Sequence, residues 1–151
     1  MHCSYRYLSK TLWLIVAAAS CFSFFTMTAL AASPTDPINE AISHGRTLFT
    51  QPSFGGNGKA CQSCHLGGGL KPGRLPDGKV LPSLSNAAAI FPRVNRRGKL
   101  VTLHDQVRQC VIGAIEGTAP PAYDSAEMRA LVTYLTSLSQ GKPIEMNGQP
   151  R

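Results

Sequence analysis

From Gly55 to Lys99 the chain is so rich in Gly and Pro that no long helix fits, and no convincing strand pattern replaces one. A connection of this length inside one domain is uncommon, and it usually wraps a function or a cofactor. Helical periodicity resumes on both sides of it, so a bound group is expected to supply the core that the loop lacks.

Inside that loop lies Cys61-Gln62-Ser63-Cys64-His65. Two thiols three positions apart reach the two vinyl groups on one edge of a porphyrin, and the next residue brings an imidazole beneath the iron. This C-x-x-C-H pattern is the signature of covalent haem attachment. A redox disulfide or half of a zinc site also uses Cys-x-x-Cys, but there is no second cysteine pair and no Trp-Cys-Gly setting on a strand. One covalently attached haem c is therefore the expected cofactor, with Cys61 and Cys64 as anchors and His65 as one iron ligand.

The 151-residue length leaves room for one ordinary domain behind a targeting segment. Arg6 and Lys10 precede an uncharged, apolar or small run from Thr11 to Leu30, and Ala29-Leu30-Ala31 offers small residues at alternate positions. Residues 1–31 thus read as a signal peptide, with the mature chain starting near Ala32 in the periplasm. Two other readings are an uncleaved anchor, the run being just long enough to span a bilayer, and a lipoprotein site at Cys21. The membrane enters as a partner only if the leader is uncleaved. Its removal takes two of fifteen basic residues and none of the eight acids, leaving +5. Arg93, Arg96, Arg97 and Lys99 concentrate that excess and suit either an acidic redox protein or a small anionic substrate, or simply form a solvated loop. Nucleic acid is excluded as a partner for an exported chain without interleaved aromatics. Of five cysteines, Cys3 and Cys21 belong to the leader, so Cys110 remains as the unpaired thiol.

The fold class is all-α, with three main helices and long Gly/Pro-rich loops, over residues 33–140. A loose tail is expected over 141–151. The first helix is capped by Asp36, carries Pro37 in its first turn and runs to about Thr50. Ile38, Ala41, Ile42, Gly45, Leu48 and Phe49 form its apolar face. The second runs from a Thr102 cap to about Glu116, with Leu103, Val107, Cys110, Val111, Ala114 and Ile115 on one face and Gly117 as its stop. The third follows an Asp124 cap with Glu127 reaching back, and buries Met128, Leu131, Val132, Leu135 and Leu138 before Gly141.

On the pentapeptide the chain resembles the cytochrome c family. In that family the first and last helices cross at a small residue against an aromatic, for which Gly45, Phe49 and Tyr134 are the matching positions. Lys79-Val80-Leu81-Pro82-Ser83-Leu84 resembles the family's Gly-Pro-x-Leu loop, with Leu81 in place of the Gly. The resemblance implies that the Pro82 carbonyl accepts the second N–H of His65. A methionine normally precedes a proline in the loop before the last helix. Gly117-Thr118-Ala119-Pro120-Pro121 has none.

Met128 falls within a helix and Met146 in the tail, whereas Cys110 lies on an apolar helical face. The segment from Arg93 to Cys110 is similar to the matching stretch of thiosulfate dehydrogenases and sulfur-oxidising Sox cytochromes, in which the equivalent cysteine is the distal haem ligand. The resemblance thus implies His65 and Cys110 as the iron ligands. Those enzymes usually carry Arg where Gln106 stands and Phe where Val111 stands. Cys110 as a plain buried side chain, or His104 as ligand two turns away, are the other readings, and His44 is taken as structural or solvent-facing.

These features lead first to a low-potential monohaem cytochrome that transfers electrons between partner proteins, with another cytochrome as one candidate partner. They lead next to a haem subunit of a thiosulfate-oxidising enzyme, and thirdly to a protein that binds carbon monoxide or nitric oxide.

Overall fold

The computed structural model describes residues 36–75 and 77–151. The leader, with Cys3 and Cys21, lies outside the described residues. Three helices, α1 (Pro37–Thr50), α2 (Leu103–Gly113) and α3 (Ala126–Leu138), carry the core. Among the described residues no helix is long and apolar enough to cross a membrane.

Helix α1 begins where Asp36 Oδ1 accepts the Ile38 N–H at 3.0 Å, and ends at Gln51, whose backbone turns extended. Its buried face meets α3 at Gly45. A methyl group there would drive into the Ala130 carbonyl and stand 2.7 Å from Tyr134 Cβ, so the two helix backbones come into close approach at this point. One turn on, the Phe49 and Tyr134 rings pack with centroids 5.5 Å apart, as the family resemblance implied. Overpacking of this kind costs about 1–3 kcal/mol. Gly45→Ala is therefore expected to lower denaturant-unfolding stability towards the upper end of that range, because backbone atoms have to give way.

Helix α2 starts with a reciprocal cap: the Asp105 N–H donates to Thr102 Oγ1 at 3.2 Å and the Thr102 N–H to Asp105 Oδ2 at 2.9 Å. Tyr123 Oη donates to the other Asp105 oxygen at 2.6 Å. This bond first, then those from Thr102, holds the Asp105 carboxyl down from 3.8 to about 2. A depressed carboxyl stabilises the fold fully above its unfolded value and loses that contribution as pH falls through the folded one. Stability should thus decline between pH 3.8 and about 2. In Asp105→Asn that part of the decline should vanish from acid titrations followed by circular dichroism.

The helix stops at Gly113, three residues before the expected Glu116. Glu116 takes φ +56° and the Gly117 N–H turns back to the Val111 carbonyl at 2.8 Å, which swings Ile115 into the core. Helix α3 also starts one residue later than expected. Ser125, not Asp124, caps it, its Oγ accepting the Met128 N–H at 3.1 Å. Either residue is a competent cap; the packing that buries Met128 and Leu131 completely selects the register. Val132 and Leu138 of the expected stripe are only partly buried, and Ala130 and Tyr134 take their share of the interior.

The loops contain two hairpins that alternation could not reveal, each strand being two residues long. Strands β1 (Gly73–Arg74) and β2 (Val80–Leu81) pair antiparallel, as do β3 (Arg93–Val94) and β4 (Leu100–Val101). Asn95 shapes the second turn, its Oδ1 accepting the N–H groups of Arg97 and Lys99.

Residues 141–151, expected to be loose, are tied down. The Glu145 N–H donates to the Ala89 carbonyl at 2.8 Å, and the Asn147 N–H to those of Ile90 and Pro92 at 3.1 Å. Buried Asn86 donates to the Gln149 carbonyl and accepts the Arg151 N–H, both at 3.1 Å. Composition alone suggested freedom; the partners that remove it come from residues 86–92.

Candidate functional site

Cys61–Ser63 wind into a single 3₁₀ turn. The Cys64 and His65 N–H groups both donate to the Cys61 carbonyl, at 3.2 and 3.0 Å, and Ser63 Oγ accepts the Ala60 N–H at 3.1 Å. The winding gathers Cys61, Cys64 and His65 within one turn. Strand β1 then passes directly over them: a methyl group on Gly73 would collide with the Cys64 carbonyl oxygen, so only glycine fits. Below, the Phe49 ring lies 6.4 Å from the His65 ring, and Tyr134 Oη donates to the Gly68 carbonyl at 2.7 Å. The α1–α3 crossing therefore anchors the loop that carries the imidazole.

Above this turn opens a cleft with a volume of about 240 Å³. Its walls are overwhelmingly apolar: Phe49, Leu84, Ile90, Phe91, Val107 and Leu131 are among them. Cys61 and His65 line it from the pentapeptide, and α2 contributes Gln106 and Cys110. A second cavity of about 130 Å³ is bounded by Cys61, Cys64, His65 and Cys110 together, and Cys61, His65, Leu81 and Cys110 line both. No disulfide links Cys61, Cys64 and Cys110. Burial, and next the neighbouring Cys110, pushes the Cys61 thiol up to about 12. Burial likewise raises Cys110, against the Gln106 hydrogen bond and the Arg93 charge.

His65 Nδ1 is buried without a hydrogen-bond partner, and burial lowers the ring's pKa, favouring the neutral imidazole. An unmatched nitrogen in an apolar wall is rare in folded proteins. Pro82 borders the same cleft, but its carbonyl does not take the His65 N–H that the family resemblance implied. Of the rival ligands, Met128 is fully buried in the helical core and Met146 is exposed. His104 is half-buried and does not line the cleft, and His44 is exposed on α1.

Two cleft residues escaped the sequence reading. Arg93 had been grouped with the basic cluster, yet it lines the cleft while Arg96, Arg97 and Lys99 are exposed on the β3–β4 turn. Gln106 stands out in the sequence only as a departure from the resembled enzymes, although its position one helical turn before Cys110 places both on one face.

A thiol pair three residues apart, an adjacent imidazole with an unmatched buried nitrogen, and an apolar cleft beside them fit a covalently held porphyrin. Together with the three-helix frame they define a c-type cytochrome. The family model for the SoxA/TsdA cytochrome c domain matches residues 44–144, and the chain belongs to that family. Its members carry covalently attached haem c, and the chain is a haem-bearing electron-transfer protein.

The chain is 32% identical over 130 residues to thiosulfate dehydrogenase of Allochromatium vinosum, covering 79% of this chain and 45% of that protein. It is 30% identical over 116 residues to the thiosulfate dehydrogenase of Stutzerimonas stutzeri, covering 73% of this chain and 35% of that one. It thus spans less than half the length of these relatives. Among solved structures, thiosulfate dehydrogenase TsdBA from Marichromatium purpuratum superposes with a TM-score of 0.60 at 21% identity, covering 80% of this chain and 28% of that one. SoxXA from P. pantotrophus gives 0.58 at 23% identity, covering 74% and 37%. At such identities these two speak for the fold.

Proposed function

We propose that this chain is an exported monohaem cytochrome in which Cys61 and Cys64 hold the haem, His65 and Cys110 ligate its iron, and electrons pass between partner proteins. The observation that carries the reading is that Cys110 and the pentapeptide border one apolar cleft, while neither methionine outside the leader does. When bound, the haem supplies a one-electron couple; the protein sets its potential and decides what approaches it. His65 offers a neutral nitrogen. Cys110 as an anionic thiolate favours the ferric state and hence a low potential. Phe49, Val107 and Leu131 keep water from the iron's surroundings, and the exposed Arg96, Arg97 and Lys99 steer an acidic partner, such as another cytochrome, towards the edge marked by Arg93.

Export to the periplasm rests on the leader, and the amino terminus of protein recovered from that compartment should lie near Ala32. The reading is tested by absorption and paramagnetic resonance spectra of the purified protein with and without Cys110→Ala. A low-spin ferric signal that is lost or altered in the variant supports it, and identical spectra would refute the ligation.

A second reading, a haem subunit that oxidises thiosulfate, is favoured by the names of the relatives and by Arg93, a cation on the cleft wall. Gln106, standing where the resembled enzymes carry Arg, speaks against it. With a single C-x-x-C-H the chain would hand its electrons to a partner haem. A steady-state assay with thiosulfate and an acceptor, on the isolated protein and on its natural complex, separates the readings. Turnover by either favours the enzyme.

A further inference from the structure

We propose that Arg93 is a positioning residue that acts through Gln106 to keep a hydrogen-bond donor on the Cys110 sulfur. The inference rests on the reading of Cys110 as an iron ligand. Arg93 Nη2 donates to Gln106 Oε1 at 2.9 Å, and Gln106 Nε2 donates to Cys110 Sγ at 3.4 Å. All three residues line the cleft.

The direction of this chain of bonds follows from what each group can do. A guanidinium only donates, and a side-chain amide has one end that accepts and one that donates. With Arg93 on one side, the oxygen of Gln106 has to face it, and the amino end is left for the sulfur. Without Arg93 the amide is free to turn over and offer its oxygen to an electron-rich sulfur, which is repulsive. Arg93 is itself held, its guanidinium lying 5.1 Å from the centroid of the Phe91 ring. The β3–β4 hairpin that carries it runs through Thr102 straight into α2, so donor and ligand belong to adjoining elements.

A donor on a thiolate draws electron density away from the sulfur and weakens its stabilisation of ferric iron. Removing the donor should lower the reduction potential. Redox titration of the holoprotein is the test. Gln106→Glu keeps the shape of the side chain and its bond to Arg93 but presents only oxygen to the sulfur. It is expected to shift the oxidised-to-reduced ratio at fixed potential about tenfold towards oxidised, which is about 59 mV for one electron. Gln106→Leu and Arg93→Met should move it the same way, roughly threefold or more, with Arg93→Lys, another pure donor, keeping the wild-type value.

The double variant decides between relay and bulk charge. If Arg93 acts through Gln106, Arg93→Met adds little once Gln106 is Leu; an equal shift in both backgrounds overturns the proposal. Cys110→Ala run alongside separates this inference from its premise. A spectrum unchanged by Cys110→Ala removes the premise and the proposal with it. A spectrum changed by Cys110→Ala, with a potential untouched by Gln106→Glu, overturns the relay alone.

Discussion

With Cys61 and Cys64 both replaced by alanine, the protein should emerge from a cytochrome-maturing host without the mass of one haem and without cooperative unfolding. In the proposed reading each thiol forms one thioether, and the 3₁₀ turn places both on the wall of the smaller cavity. Loss of the bonds is a loss of core as well as of cofactor. Leu84, Val107 and Leu131 belong to or pack against the hydrophobic core and also line the cleft, so a bound haem would complete their packing. Deleting one buried Phe or Trp side chain costs about 3–5 kcal/mol, and a porphyrin is larger than either, so the variant should lose at least that much. Intact-mass spectrometry and the pyridine haemochrome spectrum give the first readout, and thermal unfolding gives the second. A wild-type protein that stays colourless in the same host would end the haem reading altogether.

Cys110→Met should raise the reduction potential by a large part of the roughly 0.8 V that axial ligands span among haem proteins. Thiolate is anionic and pins the ferric state, whereas a neutral thioether paired with histidine favours the ferrous one. The substitution is close enough in size to be accommodated. Cys110 borders both cavities, and Ile112 and Gly113 beyond it on α2 are exposed, leaving the helix end room to adjust. A potential equal in wild type and variant would mean that the sulfur does not touch the iron, and Cys110 would then be one more apolar wall of the cleft.

The hydrogen bond expected from His65 to the Pro82 carbonyl shows where family resemblance overreached. The loop Lys79–Leu84 does return to the cleft, but through different contacts: the Leu84 N–H donates to the Gly69 carbonyl at 2.6 Å and Leu81 joins β2. Leu81, standing at the family's glycine position, pairs with Gly73 across the β1–β2 ladder, and His65 Nδ1 has no hydrogen-bond partner.

Local order along the chain was enough to place α1 from Asp36 to Thr50, the start of α2 at Thr102, and the pentapeptide as the chemical centre, because caps, apolar spacing and thiol spacing act over a few residues. The same short range left other features to the folded chain: the Ser125 cap chosen by burial of Met128, the early end of α2 at Gly113, the docked tail, and Arg93 reaching Gln106 across thirteen positions. The tail and Arg93 depend on partners distant in sequence; at the two helix ends the competing local preferences are nearly equal, and burial of Met128 and Ile115 selects between them.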